Sequence, residues 1–143
     1  MPKPVQTLTL ADAKAMVLAA EACASRLGIA YSIAVVDGGG HLLHFSRGDA
    51  GVPGCASLAI DKAHTAAMFG HATDTLARLA PPGAELYGIA HALGGRAVVF
   101  GGGVPVRSNG ALIGAIGASA GSVEQDIAVA QAGAAALTAQ VID

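Results

Sequence analysis

The sequence predicts an α+β domain, an antiparallel sheet of about five strands flanked by helices on both faces. Three observations carry that expectation. Asn109-Gly110 lies between two apolar runs, and both central residues of a type I′ turn need the positive φ that Asn and Gly tolerate. Tyr31 to Val36 is apolar on both alternating faces, as in a strand covered from both sides. Ala-rich segments with apolar residues at helical spacing stand near both ends of the chain.

Taken in order, Thr9 with Asp12 three residues on opens a helix. Its inward stripe is Ala13, Met16, Val17, Ala20, Ala24 and Leu27, and Gly28 ends it. The strand from Tyr31 turns through Asp37-Gly38-Gly39-Gly40 and returns over His41 to Ser46. A loop, Arg47 to Gly54, leads into a second helix, Cys55 to Gly70, apolar round most of its circumference and therefore expected to be largely buried. Thr73 to Ala80 is a short helix stopped by Pro81-Pro82, Leu86 to Leu93 is expected to add a helical turn, and Ala97 to Phe100 is read as a strand. Gly101-Gly102-Gly103 then precedes the hairpin, Val104 to Arg107 paired with Ala111 to Ser119. Ser122 with Gln125 forms a capping box for a last helix to about Gln140, where Glu124 and Asp126 suit the positive end of the dipole.

Length and composition bound the rest. At 143 residues the chain is expected to form a single domain, 1–143. Hydrophobic residues are 53% but aromatics only 3%, so the core must be built from small side chains, chiefly 33 Ala and 20 Gly. Charged residues at 13%, against about 25% in an average domain, leave an apolar surface that a homo-oligomer would bury. A net charge of −2 with scattered basic residues argues against nucleic acid, which needs a concentrated basic face. No apolar run reaches a membrane span, and Met1 to Leu10 lacks the parts of a signal peptide, so the expected location is cytoplasmic, with Cys23 and Cys55 as buried free thiols.

Several motifs bear on chemistry. The glycine run is neither a P-loop nor a dinucleotide fingerprint. Gly117-Ala118-Ser119-Ala120-Gly121 matches GxSxG at a strand-to-helix junction, but no His follows it in the chain, so Ser119 is read as lining a pocket or satisfying backbone. His64 and His71 are seven apart on one helix and cannot share a small metal ion, so no metal site is expected. His64 is favoured slightly over His41, His44, His71 and His91 as a ligand to haem iron. Lys62 on an Ala-covered helix face needs either solvent or a partner. With Arg47 it would complete an anion pocket on the unpaired N–H groups of Gly101, Gly102 and Gly103, close to the N-terminus of the last helix.

Five ordered stretches resemble the GlcG/HbpS family over almost the whole chain: Val35-Val36-Asp37-Gly38-Gly39-Gly40, Arg47-Gly48-Asp49, Lys62-Ala63-His64-Thr65-Ala66, Gly101 to Val106, and Ile113 to Ser119 continuing to Asp126. The resemblance implies a profilin-like outline, homo-oligomers, and haem or corrinoid as cofactor, since some relatives bind haem and similar domains accompany cobalamin adenosyltransferases (PduO-type proteins). Together these readings give a small-molecule-binding domain, with haem or a related tetrapyrrole as the leading ligand. The alternative is an enzyme of small-molecule catabolism that holds an anionic substrate with Lys62 and Arg47 at the Gly101–Gly103 loop and moves protons with Glu124, Asp126 or a His. Whether the protein is catalytic is left open by the sequence.

Overall fold

The structure, a computed structural model, describes residues 1–142, with side chains described as far as Leu137. Helix α1, Leu10–Leu27, begins where expected, because Thr9 and Asp12 cap each other: the Asp12 N–H donates to Thr9 Oγ1 at 3.2 Å and the Thr9 N–H to Asp12 Oδ2 at 2.8 Å. It ends at Gly28 in the left-handed region, φ 70°. Strands β1, Ser32–Asp37, and β2, Leu42–Arg47, form the first hairpin. Helix α2, Pro53–Phe69, and the short α3, Thr73–Leu79, follow. Strands β3, Gly103–Ser108, and β4, Ala111–Ser119, pair antiparallel across Asn109-Gly110, both at positive φ as the turn requires. Helix α4, Val123–Ile142, opens on the expected box, with the Gln125 N–H donating to Ser122 Oγ and the Ser122 N–H to Gln125 Oε1.

The sheet has four antiparallel strands in the order β2-β1-β4-β3. Alternation along its two central strands sends side chains into two separate layers. Ile33, Val35, Ile116 and Ala118 pack with Met16, Val17 and Ala20 of α1 and Val129 and Ala130 of α4. Ala34, Val36 and Ala115 meet Ala59, Ala63, Ala66 and Ala67 of α2 on the other face. The second layer is thin because its residues are small. At Gly117 a Cβ would collide with the Ala59 carbonyl oxygen, so α2 lies nearly backbone to backbone on β4. That close approach is what the Ala and Gly content makes possible, and it sets the depth at which the polar residues of α2 sit.

Four strands, not about five, make the sheet, and the missing one is Ala97 to Phe100. Ala97 and Val98 are buried as their apolar character demands, but the Val98 N–H donates to Thr65 Oγ1 at 3.0 Å, a side chain of α2, in place of a neighbouring strand. Leu86 to Leu93 does add a helical turn, of the 3₁₀ kind. Gly88 at φ 101° and Leu93 at φ 58° confine it to single 3₁₀ turns, one at Ile89–His91 and one at Leu93–Gly95. Leu27, placed on the buried stripe by its spacing, is 40% exposed at the end of α1.

Candidate functional site

Helix α2 carries two polar centres, two residues apart in sequence and different in character. Lys62 is completely buried. Its Nζ donates to Asp126 Oδ2 at 2.8 Å and to the Ala118 carbonyl at 3.0 Å, and it lies 5.0 Å from the centre of the Phe100 ring. Asp126, one turn into α4, accepts on Oδ1 from the Tyr31 hydroxyl at 2.8 Å, the Gly121 N–H at 3.0 Å and the Ala120 N–H at 3.2 Å. Both carboxylate oxygens are therefore engaged, and the Lys62 charge is matched inside the chain. Burial first, then the hydrogen bond to Asp126 and its negative charge, raise the Tyr31 hydroxyl well above the ordinary phenol range, so it stays a donor.

The glycine run lies against this centre. Gly102, at φ 126°, would place a Cβ 2.7 Å from both Lys62 Nζ and the Ala118 carbonyl, while at Gly103 a Cβ would meet the Lys62 carbonyl oxygen. The Gly103 N–H donates to Thr73 Oγ1, and Gly101 faces the Val123 and Ile127 side chains. All three glycines are buried. The structure thus brings Lys62, Asp126, Ser119 and Gly101–Gly103 together at one end of β4, with Ser119 only 3% exposed opposite Ser32 in the sheet register. It does not bring Arg47 or Glu124 into the cluster as a charge: Arg47 is exposed at the end of β2 and Glu124 is exposed in the first turn of α4.

The second centre is half-open. His64, two residues after Lys62, turns toward the β1–β2 connection, where its Nδ1 lies 3.1 Å from the Gly40 carbonyl oxygen. A carbonyl can only accept, so Nδ1 carries a proton, and in the neutral imidazole Nε2 then keeps its lone pair. Met68, one turn further on, is 38% exposed and closes on the same turn: a Cβ at Gly40 would be 2.5 Å from its Cε and 2.9 Å from His64 Nδ1. Ile60, one turn earlier, and Phe45 of β2 are half-buried and pack on the α2 alanine layer, while Leu42 is 49% exposed. His41 is exposed, with Nδ1 3.3 Å from Asp37; His44 is half-buried in β2, and His71 and His91 are exposed. Among the described residues, His64 is the only histidine that bonds a backbone carbonyl.

Cavities elsewhere include one of about 370 Å³ between the N-terminal segment and the β3–β4 hairpin and one of about 270 Å³ beside the end of α1. Neither is lined by a histidine or by Lys62. The face around His64 presents half-buried apolar residues beside an imidazole held through one nitrogen.

Residues 8–135 match the family model described as haem degrading protein HbpS-like. The chain belongs to this HbpS-like family. It is 40% identical, over 89% of its length and 89% of the relative's, to an uncharacterized 15.0 kDa protein from the dhaT-dhaS intergenic region of Citrobacter freundii. It is 34% identical over 94% of its length to corrinoid adenosyltransferase PduO of Citrobacter freundii, spanning 40% of that longer protein. Among solved structures it superimposes on the PduOC:heme complex with a TM-score of 0.87 and 37% identity, covering 91% of this chain and 94% of that one. Family membership agrees with the five stretches quoted above. No helix of the described residues is long and apolar enough to cross a membrane.

Tyr31 and Phe100 were not singled out from the sequence, although both touch the closed centre. Tyr31 reads as part of an apolar strand, and its hydroxyl partner lies 95 positions away. Asp37 and Gly40 were read as a turn and as part of a family stretch, without a role at the site.

Proposed function

We propose that this chain binds haem or a related tetrapyrrole, with His64 Nε2 as the axial ligand. The observation that carries the reading is the bond from His64 Nδ1–H to the Gly40 carbonyl, since imidazoles that ligate metals commonly donate their second nitrogen to a carbonyl or carboxylate, which fixes the ring and the ligating nitrogen. Likeness to a chain solved with haem bound supports the ligand class. Phe45, Ile60 and Met68 supply apolar contact for the macrocycle. Bound there, haem would contribute an iron centre whose potential depends on the axial imidazole and its hydrogen bond. A corrinoid would use the same nitrogen, so the two are separated by which titrant saturates. A second copy of the chain is the reading for the exposed Leu18, Tyr87 and Val52, 69%, 67% and 60% accessible, and light scattering on the purified protein would report a multiple of 13.9 kDa.

The test is an absorption titration of the apo-protein. Haem is expected to give a saturable Soret shift that survives His41→Ala, His44→Ala, His71→Ala and His91→Ala and is lost in His64→Ala. Linear, non-saturating uptake that persists when all five histidines are replaced would mean adsorption to apolar surface and would remove the proposal.

A further inference from the structure

Resting on that reading, we infer that Asp37 is the positioning residue of the site: through the turn it organises, it sets which nitrogen of His64 is available to a ligand. Asp37 Oδ1 accepts from the Gly39 N–H at 2.9 Å and the His41 N–H at 3.0 Å, and the Asp37 carbonyl accepts from the Gly40 N–H at 3.0 Å. One side chain and its own backbone therefore fold three successive residues around themselves. On its other side the turn is tied to the N-terminal segment, where the Gly38 N–H donates to Thr7 Oγ1 at 2.9 Å and the Thr7 hydroxyl donates to the Ile113 carbonyl at 3.4 Å. Gly40 itself stands at φ 82°, a backbone conformation that leaves its carbonyl directed at His64.

The direction of control follows from these bonds. In a free histidine side chain the proton prefers Nε2, which would place N–H, with no lone pair, at the open nitrogen. The Gly40 carbonyl reverses that preference, and it can do so only while the turn holds its shape. Asp37 makes no bond to His64, so its effect passes through the backbone of residues 39 to 41. Asp37→Asn keeps an acceptor oxygen in the same place and should keep the turn; Asp37→Ala removes the acceptor.

The experiment reads the tautomer directly, without haem. Nitrogen-15 spectra of the His64 ring in the full-length apo-protein are expected to show Nδ1–H in the wild type and in Asp37→Asn, and a mixture shifted toward Nε2–H in Asp37→Ala. In a haem titration Asp37→Ala should then bind about 10-fold or more weakly, with Asp37→Asn near wild type. Should Asp37→Ala not fold, Thr7→Val, which removes the acceptor for the Gly38 N–H, carries the same two measurements with the same expected direction. A His64 tautomer unchanged in the folded Asp37→Ala or Thr7→Val protein would overturn the inference. That result is distinct from failure of the parent reading, in which His64→Ala would keep the saturable Soret shift whatever the apo tautomer shows.

Discussion

Lys62 and His64 stand on the same helix, and the contrast between them is a contrast between a closed and an open polar centre. Lys62 faces the sheet at a point where Gly102, Gly103 and Gly117 allow backbones to approach closely, and its ammonium is paired within the chain with Asp126 and the Ala118 carbonyl. His64 faces the glycine turn at the sheet margin, with one nitrogen bonded and the other unused. A buried charge is tolerable only when it is matched, so its presence in a core signals a lock more readily than a ligand site. A polar side chain with one side fixed and one side open is what ligand binding needs.

The largest expected effect comes from opening the lock. Asp126→Ala would strand a buried ammonium together with the Tyr31 hydroxyl and two backbone N–H groups, and breaking a buried pair in this way costs about 3–5 kcal/mol. Urea unfolding should show that loss; a change under about 1 kcal/mol would mean that water reaches Lys62 and that the centre is not closed. Tyr31→Phe removes one hydrogen bond to a charged acceptor and should cost about 1.5–3 kcal/mol. Its pH signature is more specific. Because the Tyr31 hydroxyl is raised in the folded protein, the unfolded chain releases that proton first, near the ordinary phenol value of about 10. The unfolded state then binds fewer protons than the native state, so stability falls as pH rises above about 10. Alkaline unfolding of Tyr31→Phe should lack that part of the fall, and identical slopes in the two proteins would place the hydroxyl in solvent.

How much of this was legible in the sequence depended on how local the interactions were. Thr9 with Asp12, Ser122 with Gln125, and Asn109 with Gly110 act over one to three residues, and each marked its helix start or turn correctly. Lys62 with Asp126 spans 64 positions and Tyr31 with Asp126 spans 95, so both residues of the ion pair could be named without the pairing being visible. Lys62 was expected to reach solvent or to meet an anion or carboxylate partner, and the partner it has is the Asp126 carboxylate. Ala97 to Phe100 shows the other limit, since an apolar run states that it will be buried and leaves open whether its N–H groups find a strand or, as here, the side chain of Thr65.

On the open side, effects on stability should be small. His64→Ala removes a half-buried side chain with a single hydrogen bond and is expected to cost about 0.5–1.5 kcal/mol. A loss of several kcal/mol would mean that the ring is part of the core and would weaken the distinction between the two centres.

The most direct test sets the two residues against each other in one haem titration. Lys62→Met and His64→Ala proteins would be purified as apo-proteins, shown folded by circular dichroism, and titrated with haem alongside the wild type. Lys62→Met is expected to lower the melting temperature and keep the saturable Soret shift, whereas His64→Ala keeps the melting temperature within a few degrees and loses the shift. The opposite pattern, with haem binding lost in a folded Lys62→Met and intact in His64→Ala, would contradict the assignment of lock and site.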